Sequence, residues 1–202
     1  MEYLVSMTTH VPDGTPAKTV DDVRAREDAH TRELAAEGHI LRLWHPPLQP
    51  GEWRTLGLFA AADADELGQV LASMPLHVWR TDAVTPLGRH PNDPDGEPVT
   101  AGTEFFTIFT RTVPHGTPSQ DVADAEGREA VRAKELGGQG HLLRLWMLPG
   151  EGRALGLWRA KDAAELQTYL DSLPLSPYQQ ATVTPLTEHP SDPPTASKQV
   201  TK

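Results

Sequence analysis

The sequence predicts an α+β protein built from two copies of one βαββαβ unit. Three observations carry that expectation. The chain repeats itself, a property best sought before anything else. "GHILRLW" from Gly38 returns as "GHLLRLW" from Gly140, "VPDGTP" at 11–16 as "VPHGTP" at 113–118, and "HPNDP" at 90–94 as "HPSDP" at 189–193. Within each copy, short alternating stretches give way to longer segments with helical spacing. Proline and glycine fall between these segments, where turns are needed.

In the first copy, "EYLVSMT" alternates and reads as a strand. "VPDGTP" reads as a turn, with Thr15-Pro16 placed to cap and open a helix over 17–37 that ends at Gly38. "HILRLW" and "WRTLGLFA" read as the second and third strands. "DADELGQVLASM" reads as the second helix. Asp63 with Glu66 three residues on opens it as a capping box, Asp162 with Glu165 repeats the signal, and Pro75 stops it. "VWRTDAVTPL" holds the last strand. The order is that of a ferredoxin-like split βαβ unit, which carries both helices on one sheet face. The other face needs a cover, and a second copy supplies one. The expected architecture is therefore an intramolecular pseudo-dimer of the dimeric α/β-barrel type. The expected organisation is a first repeat at 1–91, a linker at 92–102, a second repeat at 103–190 and a disordered tail at 191–202.

Composition narrows the function. The 202 residues carry 18 Lys and Arg against 28 Asp and Glu, a net charge of -10, so nucleic acid and anionic membranes are poor partners. The absence of cysteine removes disulfides, thiolate metal sites and a cysteine nucleophile. No signal segment or membrane span is evident, and the expected location is the cytoplasm. The nine histidines show no ligand spacing, so no metal is expected. No G-x-G-x-x-G, P-loop or nucleophile elbow appears, so no nucleotide and no serine hydrolase chemistry is implied.

The residues that could carry chemistry come in pairs. On the first helix, Val20, Val23, Glu27, His30 and Leu34 share a face; in the second copy the face holds Val122, Ala125, Glu129, Arg132 and Leu136. A carboxylate in the middle of an apolar stripe is either a general base or a salt-bridged residue at the stripe's edge. Arg42 and Arg144 each interrupt an apolar strand. Strict alternation sets Ile40, Arg42 and Trp44 on one face, where the arginine is either an anion clamp or one half of an ion pair, for instance with Glu27. Trp44, Trp146, Trp79 and Tyr178 read as core or pocket wall, and His30 as a partner of Glu27 in binding substrate. Gly57 and Gly156 inside strands suggest a close backbone approach or a bulge. His90 and His189, each before proline, read as loop residues.

"LPLSPY" followed by "VTPL" and "EHP", the "G…LW" strand, the "VP" turn and the helical Glu together resemble the muconolactone isomerase family across both repeats. The resemblance implies a ferredoxin-like fold, oligomers, no cofactor, and isomerisation of muconolactone to the 3-oxoadipate enol-lactone in aromatic catabolism. The chain departs from the family in being duplicated, and in placing His45 and Met147 where the family has an arginine after Leu-Trp. The leading expectation is a cofactor-independent isomerase of a small lactone or related anion, with Glu27, Glu129, Arg42 and Arg144 as the catalytic groups. The alternatives are a cofactor-free cyclase or oxygenase on aromatic or polyketide metabolites, and a non-catalytic small-molecule-binding protein. His30 against Arg132, and "MPLHVW" against "LPLSPY", predict two pockets that are not equivalent.

Overall fold

The computed structural model describes residues 1–94 and 101–193. The linker expected at 92–102 and the tail expected at 191–202 lie largely outside these residues. The chain forms two compact units. One runs from Met1 to Leu87 and takes in the chain from Thr187 onward; the other runs from Gly88 to Leu186.

The first unit comprises β1 (Glu2–Thr9), α1 (Ala17–Ala36), β2 (Ile40–His45), β3 (Arg54–Ala60), α2 (Ala64–Ser73), a 3-10 turn (Pro75–Trp79) and β4 (Arg80–Arg89). β1 pairs antiparallel with β3 on one side and β4 on the other, and β2 pairs with β3. Alternation in β1 buries Tyr3, Val5, Met7 and Thr9. α1 buries Val23, Glu27, Thr31 and Leu34, one turn or two apart along a single stripe. Leu34 joins Val5, Ile40, Leu43, Phe59, Leu67 and Leu71 in the core of this unit. Asp63 caps α2 by accepting from the N–H groups of Asp65 and Glu66, while Glu66 reaches back to the N–H of Ala62, one residue earlier than a strict capping box.

The second unit repeats the plan with β5 (Thr103–Arg111), α3 (Ser119–Gly138), β6 (Leu142–Met147), β7 (Arg153–Ala160), α4 (Ala163–Asp171), a 3-10 turn (Ser176–Tyr178) and β8 (Gln179–Glu188). Its core gathers Phe105, Phe109, Leu136, Leu142, Leu145, Trp158, Leu166 and Leu170. The βαββαβ order and the α+β class are thus present twice.

The structure differs from the sequence reading in three places. Thr15 does not cap α1: its hydroxyl turns back to the carbonyl of Pro12 at 2.6 Å, and Pro16 occupies the cap position without a side-chain bond. Trp79 lies in a 3-10 turn rather than in the last strand. Alternation along β2 is broken by a register shift between Ile40 and Arg42, so Ile40 and Leu43 both enter the core while Arg42 lies over the ring of Trp44. β6 carries the same shift between Leu142 and Arg144. At Gly57 and Gly156 an added Cβ would strike the rings of Phe59 and Trp158, which is the close approach expected there.

The ends of the long strands are exchanged. Gly88 and Arg89 of β4 pair with Met147 and Trp146 of β6 in the second unit. Thr187 and Glu188 of β8 pair with His45 and Trp44 of β2 in the first. Each "HP" segment of one repeat therefore completes the unit built by the other.

Candidate functional site

In each unit a cavity takes in the mid-helix glutamate of the long helix. In the first unit the cavity measures about 590 Å³ and is walled by Glu27, Thr31, Leu43, His45, Arg80 and His189, among others. In the second it measures about 400 Å³, with Glu129, Phe109, Leu145, Met147, Trp158 and His90 in its wall. Both volumes lie within the range of small-molecule sites.

Glu27 is 8 % exposed. Its Oε2 accepts the N–H of Leu76 at 2.8 Å, and its Oε1 accepts from Nη1 of Arg80 at 3.3 Å. Burial pushes its carboxyl above the usual carboxylate value, while the Leu76 N–H and the Arg80 guanidinium pull it back. Arg80 is held in turn by Asp82, with Nε to Oδ1 at 2.6 Å and Nη2 to Oδ2 at 3.1 Å. Glu129 occupies the matching place on α3. Its Oε2 accepts the N–H of Leu175 at 2.9 Å. Burial raises its carboxyl too, opposed by that N–H and by Arg111.

The loop histidines are cavity residues. The Nδ1 of His189 accepts the N–H of Ser191 at 3.1 Å, and the Nδ1 of His90 accepts the N–H of Asn92 at 3.1 Å. A neutral ring with Nδ1 so engaged keeps its proton on Nε2. Burial disfavours the charged form of both rings and lowers His189 to about 4; the neighbouring His45, whose ring centroid is 4.4 Å away, adds to this and Asp28 opposes it. For His90, Asp93 opposes the effect of burial.

The other residues singled out from sequence lie elsewhere. Arg42 does not join Glu27: Asp192 takes its Nε at 3.1 Å and also accepts the N–H of Leu43 at 2.6 Å. Arg144 is held by Asp93 at 3.3 Å, which likewise accepts the N–H of Leu145 at 2.6 Å. Neither arginine lines these two cavities, because the register shift in each strand turns it away from the core face. Trp44 and Trp146, under those guanidiniums at 4.8 Å, are buried outside the cavity walls. His30 bridges Glu33 and Ser73 outside the cavity wall, and Arg132 makes the corresponding bridge to Glu135 and Ser172. Trp79 lines neither cavity, and Tyr178 borders a separate shallow hollow beside Asp121 and Arg128. The sequence reading missed Arg80, Arg111, His90 and His189 as cavity groups. The repeated "HP" was the available signal for the histidines; Arg80 and Arg111 are present in one copy only and gave none. Among the described residues, no three His, Asp or Glu side chains converge as metal ligands, and no helix is long and apolar enough to cross a membrane.

Two βαββαβ units, each with a glutamate carboxylate and a histidine imidazole at the wall of a small-molecule cavity, define a ferredoxin-like protein with paired candidate sites. The family model for muconolactone delta-isomerase matches residues 1–93 and 103–192. The chain belongs to that family. It is 36% identical over 92 residues to a muconolactone delta-isomerase of Cupriavidus pinatubonensis, covering 46% of this chain and 97% of the relative. A muconolactone delta-isomerase of Acinetobacter lwoffii is 32% identical over 92 residues, with 46% and 93% covered. A heme-binding protein from Thermus thermophilus shares the fold over 95% of this chain and 93% of its own, with a TM-score of 0.61 and 11% identity. That likeness concerns the fold alone.

Proposed function

We propose that the protein is a cofactor-independent isomerase that shifts a double bond in a small lactone or a related anion. The observation that carries this reading is the carboxylate of the long helix, buried in the first unit and half-buried in the second, which lies at a cavity wall in both and is raised by removal from water. A raised carboxylate suits removal of a carbon-bound proton near neutral pH. In the proposed step, the carboxylate takes a proton from the carbon α or γ to a carbonyl. The C–H electron pair passes into the conjugated enolate. The resulting carboxylic acid returns the proton at the other carbon, and the double bond has moved with no net oxidation. The Nε2–H of His90 or His189 is the donor available to the enolate oxygen, and it is a neutral one, suited to a charge that appears only in the transition state. The family's relatives named as muconolactone delta-isomerases support muconolactone as the first substrate to try.

The test is turnover of muconolactone by the purified protein, followed as formation of the enol-lactone. The double substitution Glu27→Gln with Glu129→Gln is expected to lower it by roughly 10²–10⁴, with the circular dichroism spectrum retained. Normal turnover in a folded double variant sinks the reading.

A further inference from the structure

We infer that proton transfer is confined to the second unit, with Glu129 as its base, and that Arg80 and Asp82 hold Glu27 of the first unit out of the reaction. The inference takes its chemistry from the isomerase reading, but the difference between the two carboxylates belongs to the folded chain and is measured without a substrate.

Both oxygens of Glu27 are engaged, one by the Leu76 N–H and one by Arg80. Arg80 is not free to move aside. Its side chain is 2% exposed, forked onto Asp82 and bonded through Nη2 to the carbonyl of Leu71 at 3.3 Å. Protonating Glu27 would remove half the negative charge that compensates this buried guanidinium. Repeat two has Gln179 and Ala181 at the positions of Arg80 and Asp82. Glu129 keeps the backbone bond to Leu175, and among the described residues its Oε1 has no hydrogen-bond partner. Arg111, the cation whose charge acts on it, is itself paired with Glu126 at 2.9 Å.

The walls differ in the same sense. Ala133 replaces Thr31, Ala154 replaces Thr55, Met147 replaces His45 and Phe109 replaces Met7. An apolar wall disfavours the charged carboxylate and so strengthens it as a base. It also suits the carbon face of a small unsaturated ring, which Phe109 and Trp158 can cover. The proton passes to the open Oε1 of Glu129, its electron pair enters the enolate, and the same oxygen returns the proton at the second carbon.

The experiment is carboxyl labelling of the full chain with a water-soluble carbodiimide and glycine ethyl ester at low conversion, read residue by residue by peptide mass spectrometry. Glu129 is expected to form the amide at least about tenfold faster than Glu27, a factor that an ion pair of moderate strength accounts for. In Arg80→Gln the Glu27 rate is expected to rise toward that of Glu129. Equal rates in the unmodified protein, or a folded Arg80→Gln in which Glu27 stays unreactive, overturn the inference. Should Arg80→Gln fail to fold, the two rates in the unmodified protein decide alone. On a substrate that turns over, Glu129→Gln is expected to remove as much activity as the double glutamine variant; if it retains half the activity, the inference falls. A protein that turns over no lactone defeats the isomerase reading, and the labelling rates still decide which carboxylate is open.

Discussion

The two units share a backbone plan down to the register shift in β2 and β6, yet their cavities have gone separate ways. The first is walled by Thr31, Thr55, His45 and Arg80; the second has Ala133, Ala154, Met147 and Gln179 in the same places. What both keep is the glutamate, the backbone N–H that binds it, and the imidazole from the other repeat. At the cavity edge the pairing is inverted: Arg24 stacks on Trp53 at 4.2 Å in the first unit, while Glu126 pairs with Arg111 in the second, where Gly152 leaves room for Arg111. The lesson is that the core clusters and the exchanged strand ends hold the backbone. Cavity positions can then change polarity without changing the fold.

The largest expected effect tests whether the exchanged ends bear equally on the two units. Asp192→Ala removes the carboxylate that Arg42, whose side chain is 13% exposed, shares with the Leu43 N–H, so about 3 kcal/mol of stability is expected to go. Asp93→Ala faces Arg144 at 35% exposed, and about 1–2 kcal/mol is expected. Urea unfolding measures both, and equal losses would break the comparison. Next, Gly156→Ala drives a Cβ into the Trp158 ring and to 2.8 Å from the Thr107 hydroxyl that this ring bonds, for about 2–3 kcal/mol. Gly57→Ala meets the Phe59 ring and a Met7 methyl that can give way, so a smaller loss is expected.

A third test uses pH. His189 stays neutral in the folded chain down to about 4, whereas the unfolded chain protonates it near 6.5. Between those values the unfolded state binds more protons, so stability falls as pH falls through that window. Relative to the parent, His189→Gln is expected to recover on the order of 1–2 kcal/mol at the acid end, discounted for partial exposure, and nothing above pH 7. The smallest effect is Glu129→Gln. Its raised carboxyl makes the folded state the better proton binder, so the charged form costs stability as pH rises above the ordinary glutamate value of 4.5. The glutamine variant is expected to gain under about 1 kcal/mol at neutral pH while losing activity. A loss of stability there would contradict the burial argument.

Much of the fold was legible because the duplication displayed each signal twice. The alternation of β1, the Asp63 and Asp162 caps and the strand glycines all appear where the sequence placed them. Glu27 and Glu129 were legible as well, since a carboxylate within an apolar stripe has to face something other than bulk water. The arginines were misplaced for one local reason: a single extra residue in β2 and β6 inverts the face of everything after it, and periodicity cannot register a bulge. The histidines escaped because their cavities are completed by strand ends drawn from the other repeat, a pairing that no local pattern encodes.

That exchange also dictates an order of events as the chain is made. The second unit is contiguous, from Gly88 to Leu186, and has all its parts as soon as β8 has been synthesised. The first has its helices and four of its strands early, yet lacks His189 and Asp192 until the whole of the second unit has been made. Its closure spans contacts 150 residues apart, the slowest kind for a chain to find. During synthesis, the unit begun before the other is therefore finished after it, and its cavity is shut by residues that follow the whole of the second unit.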